Sequence, residues 1–487
     1  MKKIAILFLV VSLVSCKKEN NLSRPPQDLG CDTLILLSTN DVHAHIGNMP
    51  KEAAYVQDLR KRYSTVLLLS AGDIFSGDPV VDQYEENGTP KRGFPIIDLM
   101  NRLDYLAMAL GNHDFDYGKD VLKDRIAQAG FPVLCANADF SGTVLAGMVP
   151  EYYTIDTAGV KITFLAFVQT GSSGIPSTHP NNVDGITFAY TLTTDFLNRY
   201  TALRNSCDVF VILSHLGVDG DRRLAPMFPQ ADVIIGGHSH TKLSPAETQS
   251  GVLITQAGSN LNYIGQTTLV LKDKKIIEKK NTLVDVSKLT AVDAGIQNRV
   301  ETYKANSPMN RVIGQATANI SGKDALGCLM TDALTTQLGL DIAFTNSGGI
   351  RISSIPKGDI TMAKIYELDP FENDVVVYNM SLSEIEALLK YACAYGSINY
   401  LVSGAKYTYH TSTKTVTLTG YDDVPLSSAK TYRVGMNSYI AETDIPKLYT
   451  PPADPGENLY VSTTATVVDY VIAQQQVSPQ PQRAFIE

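Results

Sequence analysis

The chain has 487 residues, 44% of them hydrophobic, and a formal net charge of −9. That length exceeds one ordinary core, so two domains are expected. The acidic balance and the lack of long basic runs argue against nucleic-acid polymers as partners. Small anions remain open, because a metal centre reverses the local field.

Lys2 and Lys3 precede a short apolar core, Ile4 to Val11, which ends in Leu13-Val14-Ser15-Cys16. The core is too short to span a bilayer and reads as a signal peptide over residues 1–16. Its ending resembles a bacterial lipoprotein cleavage box, with Cys16 becoming the lipidated first residue. Residues 17–30, with Pro25-Pro26, read as a tether. The expectation is an exported chain, anchored by lipid to the periplasmic or outer face of a bacterial membrane, with no other membrane contact and no implied protein partner. Beyond Cys16 stand Cys31, Cys135, Cys207, Cys328 and Cys393, so at least one is unpaired within the chain. Their spacing fits no zinc finger, and they read mostly as buried thiols.

From Cys31 the pattern alternates strand and helix. Thr33 to Leu37 is an apolar strand followed by Asn40-Asp41-Val42-His43. Glu52 to Tyr63 has helical spacing, with Ala53, Ala54, Val56 and Leu59 inward. Val66 to Leu69 leads to Ala71-Gly72-Asp73, and Leu106 to Leu110 leads to Gly111-Asn112-His113-Asp114-Phe115-Asp116. Val209 to Leu213 precedes Ser214-His215, and Val233 to Ile235 precedes Gly236-Gly237-His238-Ser239-His240. Five apolar strands thus end in loops holding Asp, Asn or His. In strand-helix folds these ends share one sheet edge, where ligands bind.

Residues 291–312 form a polar linker, helical over Ala291 to Tyr303. A second region, 313–487, follows. It holds a helix from Leu326 to Leu338, a strand from Asp341 to Phe344, and the loops Asn346-Ser347-Gly348-Gly349-Ile350-Arg351 and Pro370-Phe371-Glu372-Asn373. Strand-like alternation follows in Lys406 to Leu418 and Thr431 to Tyr439. Gln474 to Gln482 reads as loop.

Asp41, His43, Asp73, Asn112, His215, His238 and His240 suit two divalent transition ions, since imidazole and carboxylate are what Zn, Mn or Fe accept. One aspartate must bridge ions held about 3.5–4 Å apart, and Asp73, alone at its strand end, is the best bridge. Five of the eight histidines lie in these loops, which scattering would rarely produce. His45, His179 and His410 read as structural. Two metals beside a histidine suit phosphate-ester hydrolysis, because they lower the pKa of a bridging water and clamp phosphoryl oxygens. His113 would stabilise phosphoryl charge or donate to the leaving oxygen, oriented by Asp116.

The order D-x-H, G-D, G-N-H-D, S-H and G-G-H-S-H resembles the calcineurin-like metallophosphoesterases. With Gly111-Asn112-His113-Asp114-Phe115-Asp116-Tyr117-Gly118, the N-x-G-G-I-R loop and P-F-x-N, the chain resembles the 5′-nucleotidase family among them, over about residues 33 to 487. The resemblance implies a four-layer αββα metallophosphatase domain (31–290), of α/β class. A smaller α+β substrate-binding domain (313–487) follows, and rotation between the two opens the site. It implies one metal on Asp41, His43, Asp73 and His240, and another on Asp73, Asn112, His215 and His238. His113 and Asp116 match the catalytic pair, Asn346 and Arg351 match substrate contacts, and Phe371 matches one of two rings that sandwich the base. Three departures fall in the second domain. Gly327-Cys328-Leu329-Met330-Thr331-Asp332 stands for G-N-L-I-A-D. Gly322-Lys323-Asp324 stands where a basic contact residue is often found. Ala441-Glu442-Thr443-Asp444-Ile445-Pro446 replaces the loop that carries the second ring, a role left to Tyr449 or Tyr439. The implied activity is hydrolysis of 5′-nucleotides to nucleoside and phosphate. The altered clamp keeps open nucleotide sugars, 2′,3′-cyclic nucleotides or a non-nucleotide phosphoester; a non-catalytic binding protein is an alternative of another class, against which the intact ligand set and the His113–Asp116 pair argue.

Overall fold

The computed structural model describes residues 31–487, apart from 172, 173, 179, 372 and 395. The signal segment, Cys16, the tether and His179 therefore lie outside the described residues. Within them, no helix is long and apolar enough to cross a membrane.

The first half is built on two six-stranded sheets. In one, Cys31–Thr39, Thr65–Ser70, Tyr105–Ala109 and Val133–Leu134 run parallel, and Tyr263–Lys272 and Lys275–Asp285 add an antiparallel edge. In the other, Val160–Val168, Val209–His215, Val233–Gly236 and Val252–Thr255 run parallel between two antiparallel edge strands. Strand alternation sorts the side chains into layers. Leu34 and Leu36 join Leu69, Ala107, Phe164, Val211 and Ile235 between the sheets. Ile35, Leu37 and Leu68 point the other way, onto helices Met49–Arg62 and Phe94–Arg102. Leu165, Phe210, Ile212 and Ile234 do the same beneath Val218–Met227. Each fully buried aliphatic side chain contributes about 1.5–3 kcal/mol. The result is the four-layer helix–sheet–sheet–helix arrangement, and burial on both faces explains the uninterrupted apolar runs in the sequence.

The helix expected from Glu52 begins earlier, at Met49, because Pro50 fits a first turn whose N–H groups need no partner. Arg60, Lys61 and Arg62 close it beside the negative end of its dipole. The linker helix runs Ala294–Ala305, three residues later than expected, because the Asp293 side chain caps it at Ile296 N–H. Arg299 and Tyr303 of that helix both donate to Asp98.

In the second half, a five-stranded sheet orders Tyr400–Ser403, Ile342–Asn346, Thr431–Asn437, Asp374–Ser381 and Glu457–Ser462. Leu382–Ala392, opened by a Ser381/Glu384 capping box, covers one face over Phe344, Tyr378 and Val434. Gly322–Leu338 supplies Leu334 to the other face, against Ala343, Val375 and Val377. Expected strand 406–418 is a hairpin, Lys406–His410 with Thr415–Thr419. Cys135, Cys207, Cys328 and Cys393 are free thiols, and burial pushes Cys135 up to about 12, which makes it inert at neutral pH.

Candidate metal centre and substrate loops

The five polar loops converge at the carboxyl edge of the paired sheets. Two ligand groups form there: Asp41, His43 and His240, and Asp73, His215 and His238, each with its ligating atoms within 4.8 Å of one another. His43 Nε2 faces His240 Nε2 at 3.1 Å, and His240 Nε2 lies 3.4 Å from Asp41 Oδ1. His215 Nδ1 meets the Ala71 carbonyl at 2.7 Å, which turns Nε2 toward Asp73 Oδ2 at 3.0 Å. That nitrogen is buried and makes no well-aligned hydrogen bond. Asn112 Nδ2 donates to the Ser177 carbonyl, leaving Oδ1 beside His238 Nδ1 at 2.9 Å. Nitrogen lone pairs facing each other and an orphaned buried imidazole nitrogen are what a cation between them would satisfy. The residues present fit two divalent ions.

The backbone supports this reading. Asp41, His43, Asp73, His238 and His240 all have φ between +47° and +74°. Each such residue costs of order 1–3 kcal/mol, a strain that clusters at ligand sites. Gly111 is required for close approach, since a Cβ there would lie 2.1 Å from Asp73 Oδ1. Gly237 is similar, with Ala71 O and His215 Nδ1 each at 2.8 Å from the built position.

The charges are graded. Burial opposes ionisation of Asp73, but His215 and His113 hold its carboxyl far below the usual range. Burial and the His215 charge lower His238 to about 4, so it is a neutral donor at physiological pH. Burial likewise lowers His43. Burial disfavours the His113 imidazolium, yet Asp73 and Asp116 raise it to about 10.

His113 Nδ1 lies 2.8 Å from Asp116 Oδ2, and its ring sits 5.2 Å from that of His43. Asp116 is itself held: Ser76 Oγ donates to Oδ2 at 2.8 Å and Thr178 Oγ1 to Oδ1 at 3.0 Å. Asn182 Nδ2 donates to its carbonyl.

Several of these supports escaped the sequence reading. Asp114 accepts four backbone N–H groups, from Asp73, Ile74, Phe75 and Gly111. Gln256 accepts from Ser239 Oγ and Thr241 N–H while donating to the Gly237 carbonyl, which fixes the His238–His240 loop. Asn40 donates to Asp41 and to the Gly258 carbonyl. Asp114 and Asn40 lie inside the quoted motifs and could have been found there, whereas Gln256 and Thr178 carry no local signal.

In the second half, Asn346 Oδ1 accepts from Asn437 Nδ2 at 2.8 Å, and the Arg351 guanidinium lies 5.4 Å over the Phe371 ring. Lys323 Nζ donates to the Ser347 carbonyl at 2.7 Å, in the Asn346–Arg351 loop. Ser438 donates to Asn373, which puts Tyr439 beside the Phe371 loop. Tyr439 is 50% exposed and Phe371 53%, whereas Tyr449 is wholly in solvent. A π-helical turn, Ile440–Asp444, occupies the place of the missing ring loop, and its Asp444 accepts from Tyr400 at 2.6 Å.

Residues 36–242 match the calcineurin-like phosphoesterase model, and residues 304–445 match the 5′-nucleotidase C-terminal domain model. The chain belongs to the 5′-nucleotidase family of metallophosphoesterases. The first domain of that family is a metal-dependent phosphoric ester hydrolase. The trifunctional nucleotide phosphoesterase YfkN of Bacillus subtilis is 25% identical over 93% of this chain, which spans only about a third (34%) of that protein. The snake venom 5′-nucleotidase of Crotalus adamanteus is 25% identical over 85% of the chain and 81% of its own length. Among solved structures, a 5′-nucleotidase precursor from Thermus thermophilus superposes with a TM-score of 0.62 at 28% identity, covering 93% of this chain and 99% of that one.

Proposed function

We propose that the protein is an exported, lipid-anchored dimetal phosphohydrolase that releases phosphate from 5′-nucleotides. The observation that carries this reading is the oriented His113–Asp116 pair standing beside the two ligand triads. Residues 31–290 are read as the hydrolytic domain, 313–487 as the substrate domain, and 291–312 as the link. Asp41, His43 and His240 would hold one ion and Asn112, His215 and His238 the other, with Asp73 shared. The ions would supply Lewis acidity toward the phosphoryl oxygens and toward an attacking water.

The protein's own groups do the rest. Asp116 accepts from His113 Nδ1–H, so Nε2–H points outward and donates to a phosphoryl or departing oxygen. Ser76 and Thr178 donate to the same carboxylate and hold it still. Arg351 offers a fork of donors to phosphate, and Phe371 offers an exposed face for a base. Tyr439 is better placed than Tyr449 for the second ring. The names of the two relatives, a nucleotide phosphoesterase and a 5′-nucleotidase, support a nucleotide substrate.

The test strips metal from the full chain, restores Mn or Zn, and measures phosphate release. AMP, UDP-glucose, 2′,3′-cyclic AMP and para-nitrophenyl phosphate are compared. Metal-dependent turnover greatest on AMP is the expected result. Equal turnover on the aryl phosphate would move the substrate away from nucleotides, and metal binding without turnover on any of them would favour the binding-protein reading.

A further inference from the structure

The strand Cys31–Thr39 enters the fold at the end of the sheet opposite the metal loops, and its first residue pairs with Lys272. Lys272 begins a hairpin turn, Lys272-Asp273-Lys274-Lys275, whose two central residues have positive φ. The segment 272–280 reads Lys-Asp-Lys-Lys-Ile-Ile-Glu-Lys-Lys in a chain that is otherwise net acidic. Lys280 pairs with Glu278, and Lys279 is turned onto the carbonyls of Asp232 and Gly251. Lys272, Lys274 and Lys275 remain as exposed cations of the turn. Beside them the ladder slips: Val270 pairs with Glu278 and Leu271 with Ile276, so Ile277 is the extra residue of a bulge. The bulge turns an isoleucine outward, and it is 60% exposed.

We propose that this turn is a foot that seats the protein on an anionic phospholipid surface, with its lysines on the headgroups and Ile277 entering the interface. Each lysine near an anionic surface contributes about 1 kcal/mol of attraction, and a lipid anchor on the same chain would hold the turn within reach of that surface. The position of the turn fits that task. Residues 17–30 span at most about 50 Å between Cys16 and the sheet, and they lead to this end of the molecule. The nine residues of the first strand then carry the metal loops about 27 Å further from the bilayer. The catalytic edge would open away from the membrane, toward soluble substrate. The orientation rests on the lipid-anchor reading given above, while the affinity of the turn for anionic lipid does not.

The test uses the full chain with an environment-sensitive fluorophore on Ile277→Cys. A control carries it on Val424→Cys, an exposed position of the second domain. Vesicles of phosphatidylcholine are compared with vesicles that also contain phosphatidylglycerol. Emission from position 277 should shift to the blue on the anionic vesicles only and return in high salt, while position 424 stays unchanged. At about fivefold per lysine, the combined Lys272→Gln, Lys274→Gln and Lys275→Gln variant should weaken this response roughly a hundredfold, with phosphate release unchanged. Absence of the shift on anionic vesicles, or its survival in the triple variant, would overturn the proposal. Flotation with the neutral vesicles reads the lipid anchor separately. A chain that does not float there but still responds at 277 keeps the foot and loses the anchor, and a chain that floats without responding does the reverse.

Discussion

Asp114 is the residue whose replacement should separate holding the metal from using it. Its Oδ2 accepts the N–H groups of Asp73 at 3.0 Å and Gly111 at 2.7 Å, and its Oδ1 accepts those of Ile74 at 2.8 Å and Phe75 at 3.1 Å. One carboxylate thereby ties the loop of Asp73 to the loop of Asn112 and His113. Burial and the Asp73 charge push it up to about 7, against four donors that favour the ionised form. Asp114→Asn conserves shape but turns one oxygen into a donor. In either orientation two buried N–H groups lose their acceptor, at about 1–3 kcal/mol each. About 3 kcal/mol of that expressed in the placement of the ligands is roughly a hundredfold in metal affinity. The assay titrates metal against a chelator, with thermal unfolding in parallel and turnover at saturating metal. Affinity should fall about a hundredfold while turnover returns to within a few-fold of the parent, because Asp114 touches no substrate. A folded variant that binds metal as tightly as the parent would refute the argument.

Four further outcomes follow from the same geometry. Burial raises Glu52 to about 7 from an ordinary 4.5, so its stabilising contribution is complete below about 4.5 and is lost as pH rises through 7. Glu52→Gln should gain about 3 kcal/mol over the parent above neutrality, with no gain in acid, and unfolding curves of equal difference at every pH would reject this. His113→Ala should bind metal and fold normally yet lose most turnover, and unchanged turnover removes His113 from the reaction. Phe371→Ala and Tyr439→Ala should raise KM for AMP but not for an aryl phosphate, while Tyr449→Ala changes neither; equal effects on both substrates would end the stacking role. Burial opposes the His215 charge, but Asp73 raises it to about 9 in the metal-free protein, so metal binding should expel a proton. Metal affinity should therefore rise with pH up to about 9, and calorimetry in buffers of different ionisation heat would show no proton release if this is wrong.

The ligand loops were legible because parallel strands buried on both faces leave apolar runs such as Val209 to Leu213, and the polar residue after each run has one edge to occupy. The supports were not, because they act through main-chain groups or across long separations. Thr178 reaches Asp116 from 62 residues away, and Gln256 reaches Thr241 around a strand. Helix ends shifted where a single residue outweighed the pattern, as Pro50 and Asp293 did. The sequence leaves the second ring open between Tyr449 and Tyr439, since both follow the same strand. The choice turns on the Ser438–Asn373 contact, which brings one of them to the Phe371 loop.

The two halves of the site are built on opposite principles. At the metal edge, five ligands sit at strained φ, and that strain is sustained by amide and carbonyl contacts from Asp114, Asn40 and Gln256. Such a site is set before anything binds, and its contacts fall on the phosphoryl group whatever that group is attached to. The proposed substrate side has an exposed ring, an arginine above it and a half-exposed tyrosine just before a π-helical turn. Ordering those side chains would cost about 0.5–1.5 kcal/mol each on binding, so under the proposed stacking role only a leaving group that contacts Phe371 and Tyr439 would recover it. On the proposed function, discrimination between a nucleotide and a simple phosphoester would come from the second domain, and substitutions there should alter KM ratios between substrates without changing the metal requirement.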